Sequence, residues 1–332
     1  MKDLERKQPV TAAGQQPATV EGMQTVTVQD NRPVAVLGGG LMGAGIAQVF
    51  AAAEFEVSVY EPIDEARTTV TARIAENLRM VGGDVSAAEA VTVHAELEPV
   101  VSSAGFVTEA VPEKLDLKRS IFADLERLAP RDAILASNSS VIPISKIADG
   151  LETADRMIGT HWWNPPYLIP LVEVIKGAKT SAETIDTTMA LLRELGKEAA
   201  YIRKDVPGFV ANRLQHALWR EAIAMVAEGI CDARTVDTCI KNSLGQRLGV
   251  LGPLENADMV GLDLTLDIHR TIIPELDRCA GPNPYLEAQV KAGKLGFKTR
   301  EGFTTWTDDE MAALRRRLTE YLVKAQRERI SS

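Results

Sequence analysis

A doubly wound α/β domain followed by an all-α domain is what this sequence predicts, on three observations. Short apolar runs alternate with helix-forming stretches from Val34 to Ile202. A glycine-rich break, Gly38-Gly39-Gly40-Leu41-Met42-Gly43, separates the first run from the first helix. Beyond Lys204-Asp205-Val206-Pro207-Gly208 the strand pattern stops and helical spacing takes over. Strands alternating with helices imply a mostly parallel sheet.

The elements follow in order. Val34–Leu37 reads as a strand, 44–53 as an Ala-rich helix and Val57–Tyr60 as a second strand. Helical spacing predicts a helix over 63–81, and 91–94 reads as a short strand. Gly105 to Thr108 is a buried strand ending at Glu109. Leu117, Ile121, Leu125 and Leu128 then recur at helical intervals within 115–128. Strands are predicted at 133–136, 157–161, 171–175 and 199–202, with a helix over 180–195 capped by Thr180 or Ser181. Past residue 204, helices are expected at 209–228, 234–244, 262–276 and 308–325. The division that results is an extension over 1–32, a nucleotide domain over 33–204 and a helical domain over 205–332. The extension is polar and weakly periodic, so disorder is the first reading, with a short added strand at 23–28 as the alternative.

The glycines carry the most chemistry. Gly38, Gly40 and Gly43 have the spacing G-x-G-x-x-G. Gly38 permits the turn out of the strand, Gly40 lets bare backbone approach a pyrophosphate, and Gly43 lets the helix pack close to the sheet. The free N–H groups where the helix starts, at Leu41-Met42-Gly43, hold an anion with the help of the helix dipole. Glu61 ends the second strand, 18 residues after Gly43. An acid there accepts hydrogen bonds from ribose hydroxyls and repels a 2′-phosphate, which selects NAD over NADP. The competing reading is a glycine-rich turn in a nucleotide-free domain.

Bulk composition bounds the rest. With 332 residues, 45% hydrophobic and 25% charged, the chain fits two globular domains. A net charge of −9 with no basic stripe argues against nucleic-acid binding. Three cysteines without a C-x-x-C pair fit a reducing compartment and no structural metal. No apolar run approaches the roughly 20 residues of a membrane span and the N-terminus has no apolar signal core, so a cytoplasmic location is expected.

Ligands of doubly wound sheets sit beyond the carboxyl ends of strands. Ser137 to Ser140 and His161 fall at such ends, and Glu173 lies on the next strand after the turn signal Asn164-Pro165-Pro166. If those strands are neighbours, a carboxylate on one ring nitrogen fixes the tautomer and the other nitrogen accepts a proton. A dehydrogenase that oxidises a hydroxyl needs that arrangement. Each residue also has a plainer reading. His161 could be a hydrogen-bonded structural histidine, Glu173 a solvent-facing strand position, Ser140 a helix N-cap and Asn212 a surface residue near a helix start.

Several segments together resemble a known family. Gly38–Gln48, Ala136-Ser137-Asn138-Ser139-Ser140, His161-Trp162-Trp163-Asn164-Pro165, Leu171-Val172-Glu173-Val174, Pro207–Arg213 and Gly293–Phe303 look like the L-3-hydroxyacyl-CoA dehydrogenases. The similarity runs from about Pro33 to Trp306. It implies that His161 is the general base, Glu173 its orienting partner, and Ser140 and Asn212 the groups that bond the reacting oxygen. It implies that Glu113 and Lys118 contact the nicotinamide end of NAD, and it places Asn138 in the cofactor-binding set. It further implies a homodimer joined through the helical domain. The activity implied first is reversible oxidation of a short-chain L-3-hydroxyacyl-CoA to its 3-keto form.

Two departures point to an alternative. Acyl-CoA members carry a longer, Lys-rich helical arm after the ribose acid; here 67–91 is shorter and has no lysine, though Arg67, Arg73 and Arg79 remain. Ile169-Pro170 replaces the family's usual Met-Lys. The Asn164–Leu171 stretch looks more like the lambda-crystallin, L-gulonate 3-dehydrogenase and carnitine dehydrogenase branch, which implies a small free 3-hydroxy acid as substrate. A non-catalytic, crystallin-like nucleotide-binding protein is the remote alternative. Trp162 and Trp163, where Phe-Phe is usual, either shape the pocket or pack.

Overall fold

The computed structural model describes residues 32–331. The expectations for the N-terminal extension therefore lie, apart from Arg32, outside the described residues. Eight strands form one sheet: β1 (Val34–Leu37), β2 (Val57–Tyr60), β3 (Thr92–His94), β4 (Phe106–Glu109), β5 (Ile134–Ser137), β6 (Met157–Trp162), β7 (Leu171–Ile175) and β8 (Glu198–Ile202). Their spatial order is β3-β2-β1-β4-β5-β6-β7-β8. All neighbours run parallel except β6 and β7, which are antiparallel. The order reverses between β1 and β4, the switch point where such sheets open a crevice at their carboxyl ends.

The helices between strands are α1 (Leu41–Ala52), α2 (Asp64–Arg67), α3 (Val70–Val81), α4 (Glu98–Val101), α5 (Leu115–Leu128), α6 (Ile144–Ile147) and α7 (Ala182–Glu194). After β8 come α8 (Ala211–Ala227), α9 (Ala233–Lys241), α10 (Pro253–Val260), α11 (Leu262–Ile272), α12 (Pro284–Lys291) and α13 (Asp308–Ser331). Side chains alternate across the sheet, as the two-residue period of a strand requires. Val34 and Val36 join Phe50, Val59 and Trp162 on one face, while Ala35 and Leu37 join Val107, Phe122 and Leu135 on the other. Strands covered on both faces read as the unbroken apolar runs seen in the sequence.

The structure departs from the sequence reading in several places. The helix over 63–81 is two helices, α2 and α3. Thr68 and Thr69 turn their hydroxyls back onto the carbonyls of Asp64 and Ala66, an alternative to continuing the ladder. Helices α10 and α12 were not anticipated, although each opens with proline just inside its start. Ser140 is not an N-cap: the next helix begins at Ile144, and its N-cap position is Pro143.

Much of the helical domain's apolar surface is uncovered. Trp219, Leu254, Met259, Leu262, Leu266 and Ile272 are all exposed. Among the described residues no helix is long and apolar enough to cross a membrane.

Candidate active site

The glycine loop joins β1 to α1 at the switch point, and its backbone explains its glycines. Gly38 has φ of +99° and sits so close to β4 that an added Cβ would lie 2.9 Å from the Ala110 oxygen. A Cβ on Gly43 would lie only 1.7 Å from the Gly38 oxygen, so only glycine permits this turn. A Cβ on Gly40 would meet nothing within 4 Å, and as N-cap it brings no side-chain acceptor to α1. The first-turn N–H groups, from Leu41 to Gly43, are therefore free to bind an anion. The loop fits the pyrophosphate of a dinucleotide on these grounds.

Glu61 lies at the end of β2 and is 7% exposed. Its carboxylate accepts the Gly39 N–H at 2.8 Å and the Ile63 N–H at 3.0 Å. The acid expected to read the ribose thus also pins the glycine loop. Loss of a hydrogen bond to a charged group costs about 1.5–3 kcal/mol, or tenfold and upward in affinity. Glu61→Ala should therefore raise the NAD dissociation constant about tenfold or more and narrow the preference over NADP. Calorimetric titration with both dinucleotides checks it; an unaltered preference would place Glu61 away from the ribose.

A buried charge network lies at the ends of β4 and β5. Glu109, fully buried, accepts from Lys118 Nζ at 2.6 Å, the Ser137 hydroxyl at 2.7 Å and the Val111 N–H at 2.7 Å. Lys118 also lies 3.2 Å from Glu113. Glu113 in turn accepts from the Ser139 hydroxyl at 2.5 Å and from the N–H groups of Ser140, Val141 and Ile142 at 3.0–3.3 Å. Burial works against the Glu113 charge, but the Ser139 hydroxyl, the Lys118 cation and the Val141 N–H hold its carboxyl below the usual range. The Lys118 ammonium is enclosed between two carboxylates with a side-chain exposure of 1%, and one of its partners is Glu113. Asn138, one residue past β5, accepts the Trp162 N–H at 2.8 Å and ties this strand end to β6.

His161 and Glu173 face each other directly across the antiparallel β6–β7 pair. His161 Nδ1 lies 2.8 Å from Glu173 Oε2, both side chains being buried. The other oxygen, Oε1, accepts the Val210 and Ala211 N–H groups at 2.9 and 3.1 Å. Those two amides open α8, whose N-cap Val210 has no side-chain acceptor. Glu173 supplies the missing acceptor across the fold, and a carboxylate suits the positive end of a helix. Burial disfavours its charge, yet the His161 bond and then the Ala211 and Val210 N–H groups outweigh this and keep its pKa low. An ionised Glu173 accepts from Nδ1–H, which leaves Nε2 as the ring's proton acceptor.

The approach to α8 is strained. Gly208 and Phe209 both have positive φ, +74° and +48°. A bulky residue adopts that conformation only where its surroundings impose it. Phe209 is 1% exposed, with its ring centroid 5.6 Å from that of His161. One turn on, Asn212 Nδ2 donates to the Ser140 carbonyl at 3.0 Å. The structure thus brings Ser140 and Asn212 together, and Glu113 fixes the backbone of the same Ser140 segment.

The two tryptophans divide between the alternatives. Trp162 is 2% exposed and packs with Phe50 in the core. Trp163 stands beside the imidazole, 5.5 Å between ring centroids. Sequence reasoning missed the roles of Glu109, Ser139 and the Val210 and Ala211 amides. Glu109 could have been found, since it is an acid at the carboxyl end of a central strand; backbone amides leave no such mark.

Two family models match the chain: 3-hydroxyacyl-CoA dehydrogenase, NAD binding domain, over residues 33–206, and 3-hydroxyacyl-CoA dehydrogenase, C-terminal domain, over residues 208–306. The chain belongs to the 3-hydroxyacyl-CoA dehydrogenase family. It is 34% identical over 303 residues to 5-formyl-3-hydroxy-2-methylpyridine 4-carboxylate 5-dehydrogenase of Mesorhizobium japonicum, covering 89% of this chain and 97% of that protein. It is 36% identical over 280 residues to 3-hydroxybutyryl-CoA dehydrogenase of Bradyrhizobium diazoefficiens, covering 82% and 94%. Among solved structures, a 5-formyl-3-hydroxy-2-methylpyridine 4-carboxylic acid 5-dehydrogenase, described as an NAD+-dependent dismutase, superposes with a TM-score of 0.82 at 32% identity, covering 90% of this chain and 98% of that one. The (S)-3-hydroxybutyryl-CoA dehydrogenase of Ralstonia eutropha gives 0.70 at 32% identity, covering 83% and 99%. As a 3-hydroxyacyl-CoA dehydrogenase family member the protein is an oxidoreductase that uses NAD.

Proposed function

We propose that this family member oxidises the hydroxyl of a small free 3-hydroxy carboxylic acid with NAD. The observation that carries this reading is the fate of the segment between Glu61 and β3. It is not a projecting cationic arm: Val70, Ile74 and Leu78 of α3 are buried in the core shared with α1. Its arginines are engaged locally. Arg67 pairs with Asp64 and bonds the Glu61 carbonyl, Arg73 bonds the Gly39 carbonyl at 2.6 Å, and Arg79 pairs with Glu76. With no lysine in the segment and these arginines turned to local partners, fewer cations project to hold a CoA polyphosphate than a Lys-rich arm would offer. The higher TM-score to the pyridine-carboxylate enzyme than to the hydroxybutyryl-CoA enzyme supports the free-acid part of this reading over a thioester.

In this reading NAD, when bound on the glycine loop, supplies the hydride acceptor. His161 Nε2 takes the hydroxyl proton as hydride leaves the adjoining carbon, and Glu173 stabilises the imidazolium that forms. Ser140 and Asn212 hydrogen-bond the reacting oxygen and stabilise the charge that develops on it. Lys118 and Glu109 hold Glu113, which keeps the Ser139–Ile142 segment in place. A second copy of the chain covers the exposed apolar faces of the helical domain.

A short-chain L-3-hydroxyacyl-CoA is the second reading, favoured by the 36% identity to the hydroxybutyryl-CoA enzyme. NADH formation with matched free acids and CoA thioesters decides between them. The free acid is expected to show the higher kcat/KM, by about tenfold or more, as loss of the phosphate-binding cations predicts. A thioester preference of that size would replace the first reading with the second.

A further inference from the structure

Lys197 begins the approach to β8 and is 7% exposed. Its ammonium donates to the carbonyls of Pro166, at 2.5 Å, and Ile169, at 3.3 Å, and lies 5.5 Å from the centre of the Trp162 ring. Among the described residues it pairs with no carboxylate. Burial, with the charge of Arg329 adding to it, lowers its pKa to about 8. A buried cation without an anion is a poor way to fill space, because its desolvation costs stability. Its partners show what it does there.

Both carbonyls belong to the connection that joins β6, carrying His161, to β7, carrying Glu173. Other hydrogen bonds tie the turn as well, among them the Glu198 N–H to the Pro170 carbonyl at 3.0 Å. The Pro165 carbonyl accepts from Leu168 and Ile169 within the turn. The Tyr167 carbonyl accepts from Gln326 of α13 at 2.8 Å. Helix α13 lies beyond the last residue matched by the family models, 306. Arg329 of the same helix bonds the Gly196 carbonyl at 3.0 Å, next to Lys197. On its far side the turn rests against the cofactor helix, where a Cβ on Gly45 would lie 2.9 Å from the Pro166 ring. The turn is held from inside by Lys197 and from outside by α13.

We propose that Lys197, seconded by Gln326, is a positioning residue: it fixes the Pro165–Pro170 turn and through it the alignment of His161 with Glu173. This rests on the reading of His161 as the base. Neither residue touches the reacting atoms; each acts through the two strands that the turn connects.

The test uses Lys197→Met, which keeps the stem over Trp162 and removes the donor, and Gln326→Leu, which releases the turn from the surface without altering a buried charge. The Nδ1 proton of His161, held by Glu173, gives a downfield proton resonance that is assigned by its loss in His161→Ala. Lys197→Met is expected to shift or broaden that resonance and lower kcat about tenfold, the scale of a small misplacement of reacting groups. The NAD dissociation constant should stay within about twofold. Gln326→Leu is expected to move the resonance and kcat in the same direction by less, and it alone decides if Lys197→Met does not fold. A resonance unchanged in the folded variants overturns the proposal, even if melting temperature falls, because that is what a purely structural lysine would give. Full turnover in His161→Ala would instead reject the reading of the base; a dead His161→Ala beside two wild-type-like variants would reject the positioning role alone.

Discussion

His161→Ala is expected to lower kcat by about 10²–10⁴-fold, the usual contribution of a positioned general base, and to leave the dissociation constant for NAD unchanged. Two features of the site make the effects separable. The imidazole belongs to β6, whereas the glycine loop and Glu61 belong to the ends of β1 and β2. No hydrogen bond of the ring reaches the loop; its polar partner is Glu173. Removing the ring also opens space beside Trp163 and Phe209, so a melting curve belongs with the kinetics. Single-turnover NADH formation and NAD calorimetry check the prediction. Retained turnover, or NAD binding lost in step with it, would remove His161 from the role of base.

Glu173→Gln should be nearly as damaging to turnover, on the order of 10²-fold, for a different reason. The amide oxygen can still accept from Val210 and Ala211, so α8 keeps its acceptor. The amide nitrogen then faces Nδ1 and donates to it, which moves the ring proton to Nε2 and removes the acceptor that the substrate needs. Stability should fall by only about 1–3 kcal/mol, the difference between charged and neutral hydrogen bonding. The dependence on acidity has a definite sign. The native pKa of Glu173 is depressed, so its contribution to folding is complete above the unfolded carboxyl's value. It fades as pH falls through the lower native value. The Gln variant should lose less stability than wild type over that acid range. Parallel acid-denaturation curves would contradict the assignment of an ionised Glu173.

Particular residues show how far the sequence could be read. The glycine loop and Glu61 were legible because their constraints are local: a strand, a turn, a helix and an acid at the end of the next strand. His161 and Glu173 were legible as a pair only on the condition that their strands are neighbours, a condition the β6–β7 register meets. The break at Thr68-Thr69 was hidden because either residue tolerates a helix, and side-chain hydroxyls decided the matter. The pairing of Lys118 with both Glu109 and Glu113 was hidden because packing between β4 and α5, and no local pattern, encloses its ammonium. The Gln326–Tyr167 bond joins residues 159 positions apart, and neither end carries a pattern that announces the other.

The two oxygens of Glu173 serve different halves of the molecule, one the imidazole and the other the first amides of α8. A swing of the helical half away from the sheet would strip that carboxylate of two donors and raise its proton affinity just when it should stay ionised. On the reading of His161 as the base, readiness to abstract a proton is therefore tied to the two halves being seated together. An ajar enzyme would hold its dinucleotide idle instead of reducing it at the wrong moment.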